Sequence, residues 1–209
     1  MTDASSLITQ TEEFVKQAFI QNPHYSFDDW TVMYNHSVMV KDIVLEITNE
    51  IVCDKETIEI GALLHDIGKT YKTDLETLHT EHESFNLLVS EKFLENLGLP
   101  KGKLEEIKQL VAYASDSIEM NIIKDADTIA FYKDKRLYML FIKWAYESKL
   151  DWAIKRKLEK FNNLHFDVSR KIAEPLRSQM KRDWEEYLKK PSSIPAKTSS
   201  KKRAFHIQK

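Results

Sequence analysis

The sequence is poor in the residues that interrupt regular structure and in the residue that cross-links it. Its 209 residues include 4 glycines, 5 prolines and a single cysteine, Cys53. Scarce glycine and proline favour helices over a sheet with many turns, so we predict an all-α fold. A single cysteine excludes an intramolecular disulfide and a cysteine-based zinc cluster within one chain, so any metal must be held by His, Asp or Glu.

Long apolar runs are also missing. No stretch approaches the roughly 18 to 20 uncharged apolar residues of a membrane span. The N-terminal segment MTDASSLITQTEEF lacks the basic-then-apolar order of a signal peptide. We therefore expect no membrane association and a cytoplasmic location.

Charge is distributed unevenly along the chain. The net charge is −2, but residues 191–209 carry four Lys and one Arg without an acid. This leaves about −7 on residues 1–190 and argues against a large nucleic-acid-binding face. We expect residues 1–190 to form one domain and residues 191–209 a disordered basic tail, with contact to phosphates as the alternative for the tail.

Apolar residues recur at helical spacing along almost the whole chain, which predicts about eight helices joined by short polar turns. The first is expected over residues 6–21. The second is expected from Trp30 to Val52, with Asp28 or Asp29 as its cap. Two long amphipathic helices are expected at the C-terminal end, over residues 135–164 and 167–188, with Pro175 as a potential kink in the last.

Four of the polar residues expected on these helices could share one point. His36 lies on the apolar stripe of the second helix, and His65 and Asp66 end the third, expected over residues 54–66. The fourth residue is either Asp125 or Asp127, in the first turns of the sixth helix, expected over residues 122–132. Two imidazoles and two carboxylates suit one divalent first-row ion such as Mn²⁺, Fe²⁺, Ni²⁺ or Zn²⁺. The alternatives are a hydrogen-bonded core histidine, a mutual His65–Asp66 pair and aspartates favoured by the helix dipole.

The segments that hold these residues are YNHSVMV, GALLHDIGK and IIKDADTIAF, in that order. With them, residues 25–135 resemble the HD-domain superfamily of metal-dependent phosphohydrolases. A fainter similarity in KLEKFNNLHFDVSRKIAEPLRSQM extends into the C-terminal helices that several small stand-alone members carry. The resemblance implies an HD-domain helical bundle, with its core over about residues 25–135 and additional long C-terminal helices over residues 136–190.

The resemblance also implies roles for single residues. It assigns the metal to His36, His65, Asp66 and one aspartate of the sixth helix. The family's alanine-aspartate motif maps onto Ala126 and the residue after it, which favours Asp127 and keeps Asp125 in reserve.

Other positions keep two interpretations each. Family members often have a histidine where it contacts the substrate phosphate or a second metal, and His82 fits that place better than His79. The alternative for each of them is an exposed helix residue. Lys69 could meet a phosphate at the mouth of the site or complement a helix dipole. A further histidine of two-metal relatives is missing from the segment LVAYAS, which argues for one metal.

The resemblance implies a metal-dependent phosphohydrolase that cleaves a phosphomonoester or phosphodiester, with a nucleotide as the expected substrate. Asp66, Lys69 and His82 are the expected catalytic residues, and the cofactor is one ion of Mn, Fe, Ni, Co or Zn, with Mg as a further candidate. One alternative is a catalytically degenerate regulatory protein that binds a nucleotide or a metal. A second is a helical interaction module that forms a homodimer and contacts nucleic acid through its tail.

Overall fold

The computed structural model describes residues 4–26 and 29–189, and the described residues form helices without a strand, which confirms the all-α prediction. The predicted tail, residues 191–209, lies outside the described part of the chain. Short 3₁₀ turns occupy His24–Ser26, Ile67–Thr70 and Lys160–Asn163. The α-helices are α1 Ala4–Gln21, α2 Trp30–Ile47, α3 Lys55–Leu64, α4 Leu75–Asn96, α5 Lys101–Val111, α6 Ile118–Lys133, α7 Lys135–Glu147, α8 Asp151–Glu159 and α9 Asp167–Lys189.

Side-chain caps fix where five of these helices begin. Asp29 accepts a hydrogen bond from the Thr31 amide at the start of α2, as one of the two predicted caps. The same role is taken at α3, α4, α6 and α7 by Asp54, Asp74, Ser117 and Asp134. Each such cap typically stabilises a helix by about 1 kcal/mol, because it satisfies an amide that the helix leaves without a partner.

Helices α2 and α3 lie between two apolar clusters. Val40 and Ile43 of α2 face a cluster shared with α6, α7, α8 and α9. Met33 of α2 and Leu63 of α3 face a second cluster shared with α1, α4 and α5. Since both helices are buried on two sides, the residues at their ends are held rigidly from either direction.

The predicted helix over residues 135–164 is wrong in one respect, because it is two helices. Helix α7 ends at Glu147 and α8 begins at Asp151. Lys149 takes the left-handed conformation (φ 59°), and the Leu150 amide donates to the Ala145 carbonyl at 2.8 Å, as in a helix C-terminal turn. The break has no sequence signal because the left-handed residue is a lysine, where glycine is usual.

Two further expectations at helix level have clear outcomes. Helix α2 ends at Ile47, so the predicted end at Val52 is wrong, and Val52 is almost fully exposed. Pro175 lies inside α9 without ending it. Within the described residues, no helix combines the length and the hydropathy that crossing a membrane requires.

Candidate metal centre

Four side chains from three helical segments meet at one point. His36 comes from the middle of α2, His65 and Asp66 from the turn after α3, and Asp127 from α6. His36 Nε2 lies 3.1 Å from Asp127 Oδ1 and 3.9 Å from Asp66 Oδ2. His65 Nε2 lies 3.3 Å from Asp66 Oδ2 and 3.8 Å from Asp127 Oδ1. We call His36, His65, Asp66 and Asp127 the four-donor cluster.

The two ring nitrogens of His65 differ in their hydrogen bonds. Its Nδ1 lies 2.7 Å from the Ala62 carbonyl, so Nδ1 carries the proton and donates. Its Nε2 is buried and has no hydrogen-bond partner among the described residues. Burial lowers the pKa of His65, but the charges of Asp66 and Asp127 outweigh it and raise that pKa. The position between Nε2 and the two carboxylate oxygens therefore suits a positive charge, which either a proton or a metal cation supplies.

The spacing of the donors fits a single cation. Ligand atoms about 2.1 Å from one first-row ion lie roughly 3 to 4 Å from each other. The four measured separations fall between 3.1 and 3.9 Å. One donor atom each of His36, His65 and Asp127 lies within 4.8 Å of the other two. Asp66 joins this group through its Oδ2, which lies within 3.9 Å of both histidines. The residues present therefore fit the divalent ion that the sequence analysis expects.

Electrostatics keep both carboxyl groups of the cluster ionised. Burial raises the pKa of Asp66, but the Lys69 ammonium and the His65 imidazole outweigh it and hold that pKa well below its usual range. Burial also raises the pKa of Asp127, but Lys160 and His36 outweigh it and hold that pKa well below its usual range. Two anionic carboxylates balance the charge of a divalent ion.

Lys69 and His82 both contact Asp66. Lys69 Nζ lies 2.5 Å from Asp66 Oδ2, and the Asp66 charge raises the lysine pKa although burial lowers it. His82 Nε2 lies 3.2 Å from Asp66 Oδ1, while its Nδ1 lies 3.1 Å from the Leu78 carbonyl. The two residues expected to assist catalysis therefore lie beside the four-donor cluster. The side chain of His79 lies outside the described part of the structure.

Asp125, kept in reserve as a ligand, faces another part of the molecule. Its carboxylate accepts hydrogen bonds from the amides of His165 and Phe166 at 3.0 and 3.2 Å. It also lies 2.7 Å from His165 Nδ1. Asp125 therefore anchors the start of α9 to α6, and Asp127 is the aspartate that lies next to His36.

The sequence analysis missed Asn86, which holds the turn that carries His65 and Asp66. Asn86 is fully buried in α4, accepts from the Gly68 amide at 2.7 Å and donates to the His65 carbonyl at 2.5 Å and the Val111 carbonyl at 3.2 Å. A Cβ on Gly68 would lie 2.0 Å from the His82 carbonyl oxygen, so only glycine allows α4 to approach this closely. No sequence pattern marks Asn86, because its role arises from contacts with residues 18 to 25 positions away.

The sequence analysis also missed three residues that border the cluster, Lys160, Tyr25 and Tyr113. Lys160 Nζ lies 3.5 Å from Asp127 Oδ2 and is partly exposed. Lys69 lies over the ring of Tyr25, with 4.9 Å between its Nζ and the ring centroid. Tyr113 has a left-handed backbone (φ 55°), and burial, then the charges of Asp127 and Asp66, raise its pKa well above the usual range. The border thus offers ammonium and phenol groups beside the carboxylates.

Comparisons with known proteins agree with this geometry. The family model described as HD domain matches residues 33–140, which is just over half of the chain and includes the whole four-donor cluster. No curated protein matches the chain.

Two solved structures share the fold. Bacillus subtilis YpgQ in complex with ADP superposes with a TM-score of 0.65 at 17% identity, covering 91% of this chain and 98% of that chain. An HD-superfamily hydrolase from Bacillus thuringiensis superposes with a TM-score of 0.60 at 19% identity, covering 90% of this chain and 97% of that one. At these identities the likeness shows the fold alone.

Proposed function

The chain belongs to the HD domain family, and on this premise we propose that it is a metal-dependent phosphohydrolase whose ion is held by His36, His65, Asp66 and Asp127. The observation that carries the proposal is the buried, partnerless Nε2 of His65, which faces two ionised carboxylates. A proton could fill this position, but the inward convergence of four donors from three helical segments favours a cation.

The residues around the cluster suit hydrolysis of a phosphoester. A bound divalent ion supplies a lowered pKa for its water and polarisation of a phosphoryl oxygen. Asp66 is held by His82 and Lys69, and its low pKa makes it an acceptor that orients a water molecule rather than a strong base. In this proposal Lys69 and His82, which both contact Asp66, offset negative charge on a phosphoryl group.

A nucleotide is the substrate class that we propose. A structure of similar fold, Bacillus subtilis YpgQ, is in complex with ADP. The ammonium groups of Lys69 and Lys160 beside the cluster suit a phosphorylated ligand. Mixed imidazole and carboxylate donors suit Mn, Fe, Co, Ni or Zn, and Mg²⁺ is a weaker candidate because it prefers oxygen ligands.

Hydrolysis of a panel of nucleotides and other phosphoesters, with each metal added in turn, tests the proposal. We expect turnover by the wild type and at least a 100-fold loss in the variants His65→Ala and Asp66→Ala. Asp116→Ala is the matched control, because Asp116 is exposed and outside the cluster. Full activity in either cluster variant would contradict the mechanism. Bound metal without turnover on any substrate would favour the regulatory alternative.

A further inference from the structure

Lys157 of α8 is a lysine in an unusual position. Its ammonium lies over the rings of Phe131 and Phe141, at 4.4 and 5.7 Å from their centroids. The side chain is partly buried. Aromatic faces stabilise a cation, but by less than the water they displace, so an anion beside the ammonium would add to its stabilisation.

Other well-covered lysines of the chain have such an anion. Lys41 pairs with Glu12 at 2.6 Å, Lys103 with Glu56 at 2.8 Å and Lys108 with Glu91 at 3.1 Å. For Lys157, no carboxylate lies within ion-pair distance anywhere in residues 4–26 and 29–189. Burial, and then the charge of Lys160, lower the Lys157 pKa to about 8.

Lys157 lies near the four-donor cluster. Lys160 follows one helical turn later and reaches Asp127 Oδ2 at 3.5 Å. The charges of Asp127, Lys69 and Asp66 also act on the Lys157 ammonium. The ammonium groups of Lys69, Lys157 and Lys160 therefore lie in the same region as the carboxylates of Asp66 and Asp127.

We propose that Lys157 and Lys160 form a phosphate-binding subsite on the α8 side of the four-donor cluster, with Lys157 as its principal contact. The ligand is the phosphoryl oxyanion of the substrate, so the inference deepens the proposed function and rests on it. An oxyanion between the two ammonium groups removes their mutual repulsion and supplies Lys157 with a counter-ion. Lys157 is then a substrate-binding residue that the C-terminal helices contribute to the site.

Calorimetric titration of the full chain with inorganic phosphate, near pH 7, tests the subsite without depending on turnover. We expect Lys157→Met to weaken phosphate binding at least 10-fold, because methionine keeps the apolar stem and removes the charge. Lys157→Arg should stay within about 3-fold of the wild type, since it restores the charge. Lys155→Met is the matched control, an exposed lysine of the same helix, and should bind like the wild type.

A second variant tests the subsite independently, in case Lys157→Met does not fold. Lys160→Met removes the other ammonium from a partly exposed position, and we expect it to weaken phosphate binding about 3- to 10-fold. Circular dichroism shows whether each variant keeps its helices. Equal phosphate binding by the wild type, Lys157→Met and Lys160→Met would overturn the subsite, and so would a wild type that binds no phosphate.

The two proposals fail in different ways. If the wild type hydrolyses a phosphoester and Lys157→Met does so with an unchanged KM, the proposed function stands and the subsite is wrong. If the wild type hydrolyses no phosphoester but binds phosphate, and Lys157→Met binds phosphate more weakly, the subsite stands and the proposed hydrolase activity is wrong.

Discussion

At the scale of single residues, the site combines groups that are costly to bury. His65 and Asp66 are almost fully buried, and each is tolerated because a charged neighbour lies within about 3.5 Å. The ammonium of Lys157 differs, since it lies over aromatic rings and no carboxylate of the described residues is within ion-pair distance of it. Residues retained at a cost to stability are typical of functional sites.

The lowered pKa of Lys157 predicts how phosphate binding depends on pH. The groups that act on it are Lys160, Asp127, Lys69 and Asp66, and its pKa is about 8. Below that pH the ammonium attracts phosphate, and above it the neutral amine does not. We therefore expect phosphate affinity to fall several-fold more between about pH 7 and pH 9 in the wild type than in Lys157→Arg.

The lowered pKa of Lys157 also predicts how the free energy of unfolding changes with pH. Unfolding returns Lys157 to its ordinary pKa of 10.5, so between about 8 and 10.5 the unfolded chain binds more protons and the contribution of Lys157 to the free energy of unfolding rises with pH. Lys157→Met should thus be no less stable than the wild type near pH 7.

Identical pH profiles of phosphate binding in the wild type and Lys157→Arg would contradict the role of the Lys157 ammonium in binding phosphate.

At the scale of elements, helix α4 holds in place the turn that carries two of the proposed ligands, His65 and Asp66. Its buried face presents Leu78, Asn86, Ser90 and Leu94 at four-residue and eight-residue spacing, with His82 between the first two. The Asn86 side chain accepts a hydrogen bond from the Gly68 amide and donates one to the His65 carbonyl. His82, one helical turn before Asn86, contacts the Asp66 carboxylate. The helix therefore fixes the orientation of His65 and Asp66, although it contributes none of the four proposed ligands.

Substitution of Asn86 tests this role. Asn86→Leu leaves the Gly68 amide and two carbonyls without partners, so we expect the free energy of unfolding to fall by about 3 kcal/mol and metal affinity to fall about 10-fold. Urea unfolding and a metal titration measure the two effects. Ser90→Ala is the matched control, because Ser90 is equally buried but bonds only to the Asn86 carbonyl within its own helix.

The control separates positioning from general damage to α4. Ser90→Ala should lower stability by about 1 kcal/mol and leave metal affinity unchanged. If Asn86→Leu lowers stability but binds metal like the wild type, the helix has no role in positioning the ligands.

At the scale of the whole molecule, the sequence predicts the parts that depend on local pattern. Helical periodicity predicts the all-α fold, and three short motifs single out the residues that the fold brings together. Asn86 and Lys157 escaped because their roles arise from contacts between distant segments, which no spacing rule reveals. The break between α7 and α8 escaped because Lys149 adopts a conformation that is normally left to glycine.

The central claim is that His36, His65, Asp66 and Asp127 hold one divalent ion. Elemental mass spectrometry of the wild type and Asp66→Ala, both purified without chelators or a metal-affinity tag, tests it most directly. We predict about one transition-metal ion per chain in the wild type and a loss of most of it in the variant. A wild type that holds no ion even after soaking in Mn²⁺ or Ni²⁺, or equal metal content in both proteins, would contradict the account.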